Sequence, residues 1–226
     1  MEFENARKGI KRIFTAEILA LLGGICGFAA TMIQELMENG TIPLKGTVEL
    51  NTSSPVIMGL AVAVLVLSLL SLILHLTGIS KASKDEPKFK RAMLWVVIGI
   101  VLSSINSSLN LEETVSTGVR MASDFSSLLV KCFIISGVMS VAEQMNRPGL
   151  KFLGSKAMVW TVLAQLAGLA MQGIYIWSSL TGKDILGGKL IEYEAVLLIV
   201  SAVLSLIAYI VYLRFLKKSV QSLGQA

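Results

Sequence analysis

Apolar residues in this chain fall into blocks about as long as a membrane is thick, separated by polar stretches that carry most of the charge. Six blocks qualify: Ala16 to Met37, Pro55 to Leu76, Ala92 to Leu109, Phe125 to Val141, Ala157 to Leu180, and Ala195 to Leu213. About 20 residues at roughly 1.5 Å per residue cross a hydrocarbon core of about 30 Å. No block shows the strict alternation of a barrel strand, and only helices or closed barrels satisfy every backbone group in lipid. The pattern predicts an all-α, polytopic membrane protein with six transmembrane helices in one integral membrane domain, residues 1–226.

Certain letters recur within this pattern. RAMLWVV at 91–97 and KAMVWTV at 156–162 each follow a run of charge and open an apolar block. NRPGLK at 146–151 resembles DEPKFK at 85–90, RKGIK at 7–11 resembles RPGLK at 147–151, and VLSLL at 66–70 resembles VLSLI at 203–207. Similarity at a fixed period is the usual sign of duplication. Three helical hairpins of similar design are therefore expected, at 1–81, 82–146 and 147–226. All three would enter and leave on one side, which implies a pseudo-threefold axis along the membrane normal. Chance matching is easy in apolar sequence, and Trp95 and Trp160 also fit the role of plain interfacial anchors.

Composition strengthens the membrane reading. The chain is 54% hydrophobic and only 15% charged, against roughly a quarter charged in a soluble domain. The distribution of Lys and Arg then sets orientation. Fifteen of the 20 lie in the N-terminus, the second and fourth connections and the C-terminus; Lys45, Arg120, Lys183 and Lys189 lie on the other side, and Lys131 within a span. By the positive-inside rule both termini are expected in the cytoplasm, in a cell membrane. The net charge of +5 is accounted for by topology and attraction to anionic headgroups, so the lipid bilayer is the expected partner and nucleic acid is not. The first block is too long for a signal-peptide core and lacks a cleavage site, so it reads as a retained helix. Of the outer connections, Asn39–Ser54 and Thr181–Glu194 read as loops, while Asn110–Asp124 can extend the fourth helix.

Candidate chemistry is sought where polar groups sit at depth, because a charge at a helix centre costs about 2.5–3.5 kcal/mol. Lys131 is the sharpest case, seven residues beyond Asp124. Either its stem snorkels to headgroups or it has an internal partner, for which Glu35 is the preferred candidate. Asn106, Gln165 and Gln172 complete a candidate polar cavity on the outer half of the bundle; as a rival, such groups act as interhelical glue. Glu17 reads as a solvated interfacial carboxylate and His75 as an interfacial polar tip. Gly23 and Gly27, four apart, make a face suited to close helix contact. Cys26 and Cys132 lack metal-ligand spacing, and no metal, cofactor or catalytic residue is expected. No phosphate-binding loop, H-E-x-x-H or G-x-S-x-G occurs. Two functions remain: a small transport-type protein or membrane subunit of a transport system, and a non-catalytic scaffold or regulatory subunit that recruits other membrane or cytoplasmic subunits.

Overall fold

A computed structural model describes residues 3–38, 55–109, 111–181 and 190–224. These residues form six helices: α1 (Glu4–Glu38), α2 (Pro55–Ala82), α3 (Lys88–Ser108), α4 (Glu113–Gln144), α5 (Pro148–Thr181) and α6 (Leu190–Ser222). All six are long and apolar enough to span a membrane, and no strand occurs among the described residues. Every helix outruns its apolar block by a turn or more at one end at least, because backbone bonding continues into the flanking polar residues. α4 begins at Glu113, so the stretch before Asp124 does extend the fourth helix. The expected loops at Asn39–Ser54 and, for the most part, Thr181–Glu194 lie outside the described residues.

Short connections on one side are set by turn chemistry. α4 ends at Gln144 with Met145 as its C-cap, after which Asn146 adopts φ 54°, the left-handed geometry that asparagine tolerates better than most residues. The Arg147 N–H then donates to the Ala142 carbonyl (2.8 Å) and the Asn146 N–H to that of Glu143 (3.0 Å), closing off the helix end. Pro148 opens α5, where its missing N–H costs nothing. Pro87 likewise caps α3, and the buried Glu86 carboxylate accepts from the Lys88 N–H (3.3 Å) and from Gln144 Nε2 (3.4 Å). The similar hexapeptides DEPKFK and NRPGLK thus share one job, starting a helix.

The chain divides into two units, Met1–Lys11 with Gly78–Ala226, and Arg12–Thr77. In the larger unit α3 packs on α4, α4 on α5 and α5 on α6. Its core gathers toward the end that holds the short connections, where Ile10, Ile79, Phe89, Ile134, Val138, Val141, Tyr212, Phe215 and Leu216 are buried. The first turns of α1 join that end: Asn5 Nδ2 and the Ala6 N–H donate to the Asp85 carboxylate at 3.0 and 2.7 Å. Gly224 lies against the Arg7 guanidinium there, so both ends of the described chain meet at one end of this unit. Large apolar side chains such as Leu94, Leu163, Leu166, Ile199 and Leu206 project outward, which would be aberrant in water and is ordinary in lipid. α4 packs against both α3 and α5, so packing alone does not mark out three hairpins, and the threefold repeat is not confirmed.

In the smaller unit Gly23 and Gly27 face α2, with ideal Cβ positions 3.6 Å from Leu67 Cβ and 3.8 Å from Val64 Cγ2. The spacing-of-four reading therefore identifies a contact face. Ser71 Oγ adds a bond to the Ala16 carbonyl (2.8 Å).

Candidate functional site

Three helices of the larger unit line a half-open cavity of about 230 Å³. α4 contributes Lys131; α5 contributes Thr161, Ala164 and Gln165; α6 contributes Ser205, Ala208, Tyr209 and Tyr212. The spacings explain the grouping. Positions 161, 164 and 165 lie on one helical face, as do 205, 208, 209 and 212. Alanine at 164 and 208 leaves the room that larger side chains would fill. The wall therefore carries several hydroxyls and one cation set in a largely apolar lining and, among the described residues, no carboxylate.

Lys131 lies 18 residues from the start of α4 and 13 from its end. Counted along the helices, Thr161 and Tyr209 lie level with Lys131, Tyr212 lies nearer the end bearing the short connections, and Gln165 and Ser205 lie farther from it. The sequence places its candidate site on the outer half of the bundle, whereas this cavity sits near mid-helix.

The sequence candidates are distributed as follows. Lys131 and Gln165 share the cavity. Gln172 is linked to Gln165 through Asp124: its Nε2 donates to Asp124 Oδ2 (2.7 Å), while Gln165 Nε2 donates to the Asp124 carbonyl (3.4 Å). Gln172 Oε1 is buried without a hydrogen-bond partner among the described residues. Asn106 stands apart on the α3–α4 seam, where its Oδ1 accepts from Ser116 Oγ (2.8 Å). Glu35 belongs to the smaller unit and is exposed on α1; its pairing with Lys131 stays an expectation of the sequence. Trp95 and Trp160 are half-buried, one turn or more inside α3 and α5, and the Trp95 carbonyl accepts from the buried Ser126 Oγ (2.6 Å).

Four cavity residues had drawn no functional reading: Thr161, Ser205, Tyr209 and Tyr212. Thr161 has a visible signal. RAMLWVV and KAMVWTV differ at three positions, and the only change of polarity among them, Val96 against Thr161, falls on the cavity wall.

Outside the cavity, Glu17 departs from expectation. It is buried rather than solvated, with Oε1 3.9 Å from His75 Nδ1 in the smaller unit. Neither sits in a metal cluster: no group of three or more His, Cys, Asp or Glu that could hold an ion occurs among the described residues. Comparison with protein families, curated proteins and solved structures finds no match to this chain.

Proposed function

We propose that the protein is a transport-type membrane protein, or the membrane subunit of a transport system, that admits a small polar solute to the cavity among α4, α5 and α6. One observation supports this reading above others: Lys131, deep in a membrane-spanning helix, lines a cavity of about 230 Å³ rather than a packed seam. A charge at that depth is expensive. A bundle built only for support loses nothing by replacing it with an apolar residue, whereas a solute pathway uses it. The Asp124, Gln165 and Gln172 cluster lies beyond Lys131 along α4 and α5, so polar groups continue from the cavity toward the far end.

The orientation proposed with this function places both termini in the cytoplasm of a cell membrane, following the basic side chains. The cavity then lies near mid-membrane. With no nucleotide-binding loop in the sequence, movement of solute would follow a gradient, couple to an ion or depend on a partner ATPase.

The scaffold reading has its own support, the interhelical bonds Ser126 to Trp95 and Gln172 to Asp124, each of which a purely structural bundle would use. Labelling separates the two. In a Cys26→Ala, Cys132→Ala background, Ser205→Cys should react with a membrane-impermeant maleimide because water reaches the cavity. Val203→Cys, half exposed on the lipid-facing side of the same helix, should not. An unreactive Ser205→Cys would reject the transport reading in favour of the scaffold.

A further inference from the structure

We infer that the cavity binds a small, singly charged oxyanion, a carboxylate or a phosphate diester, with its charge on Lys131. This deepens the transport reading and rests on its premise that solvent fills the cavity.

The chemistry of the wall sets the class. Among the described residues its only charged group is the Lys131 ammonium; the other polar groups are the hydroxyls of Thr161, Ser205, Tyr209 and Tyr212 and the Gln165 amide. Hydroxyl and amide groups all have protons to donate. With helices on three sides and lipid beyond, the dielectric is low, so one unbalanced positive charge strongly favours an anion and repels a cation. A second negative charge would find no counterpart, which selects a monoanion over a dianion.

Size narrows it further. A volume of about 230 Å³ lies below the range of roughly 300–1,000 Å³ usual for drug-sized ligands. At about 30 Å³ per water it holds only around seven or eight waters. Ala164, Ala208 and the two tyrosine rings supply apolar wall beside the donors, so the ligand should carry a compact apolar part next to its charged oxygens. A short-chain or aromatic acid meets both requirements. A lipid phosphate presents the same oxygens and could enter from the side, since Ser205 is exposed.

The test follows the Ser205→Cys protein, lacking Cys26 and Cys132, reconstituted in vesicles. Benzoate should slow maleimide labelling, whereas choline at equal concentration should not. Lys131→Met should weaken benzoate protection roughly tenfold or more, the scale of losing a hydrogen bond to a charged group, and Lys131→Arg should keep most of it. Labelling that neither benzoate nor inorganic phosphate slows would overturn the anion assignment while leaving the solvent-filled cavity standing. Protection by choline as strong as by benzoate, or full protection in Lys131→Met, would overturn it too. No labelling at all would remove the cavity reading itself, and the anion with it. The benzoate–choline contrast needs no change at Lys131, so it decides even if Lys131→Met fails to fold. Vesicle composition assigns the source: slower labelling with phosphatidylglycerol present than with phosphatidylcholine alone indicates a lipid phosphate, and equal rates indicate a soluble acid.

Discussion

Single residues show why part of the site could be read in advance and part could not. Lys131 and Gln165 stood out because an ammonium or an amide in an apolar block is costly and therefore noticeable. Thr161 and Ser205 did not, because a hydroxyl in a transmembrane helix readily bonds to its own backbone and costs little. Ser126 makes the same point: it is fully enclosed and tied to the Trp95 carbonyl, yet nothing in its neighbours separates it from the other 22 serines. Outside the membrane, charge at the α4–α5 connection yields a prediction of its own. Lys151 Nζ lies 2.7 Å from Glu143 Oε1, and this hydrogen bond, with the attraction of the two charges, holds the Glu143 carboxyl below the usual carboxylate range. A lowered carboxylate pKa stabilises the folded state at pH values above the ordinary range. That contribution fades as acid carries the pH down through the lowered value. Lys151→Met should therefore return Glu143 to ordinary titration, as followed by NMR of the labelled carboxyl. The thermal midpoint at neutral pH should barely move, because both groups are largely exposed and solvent screens the pair.

At the scale of elements, glycine does what apolar pattern cannot announce. Spacing alone identified Gly23 and Gly27, since two glycines four apart within an apolar block define a face. Gly9 precedes the first block and carries no such signal, yet a Cβ there would lie 2.5 Å from the Gly78 carbonyl oxygen and 2.7 Å from the Ala82 nitrogen. Backbone cannot swing aside as a side chain can, so α1 and α2 approach closely at this point only because residue 9 lacks a side chain. A Cβ on Gly137 would likewise lie 2.8 Å from Phe89 Cε2, and one on Gly154 would fall onto Met139. Gly168 has open space around it. Gly9→Ala should thus destabilise the protein in detergent unfolding, by roughly 1–3 kcal/mol as overpacking typically does. Gly168→Ala should be neutral or gain up to about 1 kcal/mol of helix propensity. Equal effects at the two positions would mean that α1 and α2 do not approach closely at Gly9. The recurring heptapeptides are intelligible at this scale as well. Ala92 and Ala157 are both fully buried, Leu94 and Val159 both exposed, and Trp95 and Trp160 both half-buried. Shared burial is what any helix entering a bundle at the same depth requires, so it explains the letters without requiring duplication.

For the molecule as a whole, helix number and class were legible because the length of an apolar block is fixed by the membrane, independently of how helices pack. Packing order was not legible, since lipid-facing and helix-facing residues are equally apolar and leave a weak amphipathic pattern. Topology lies between these cases, because it depends on the flanks. The sequence expects fifteen of the 20 basic residues on one side, and the contacts of Asn5 and Ala6 with Asp85, and of Gly224 with Arg7, bring the two ends of the described chain to one end of the larger unit. A protease added outside sealed, right-side-out vesicles should accordingly spare tags at both termini and digest both once the membrane is opened. In the background lacking native cysteines, Lys183→Cys, in a connection outside the described residues, should instead react with an impermeant maleimide while the vesicles stay sealed. Removing Lys84, Lys88, Lys90 and Arg91 together should weaken this bias and produce a mixed population, since orientation is set by Lys and Arg beside the spans. Tags digested from opposite faces in the unaltered protein would require an odd number of crossings. Six spanning helices could then not all be right, and the depth assigned to Lys131 would lose its basis.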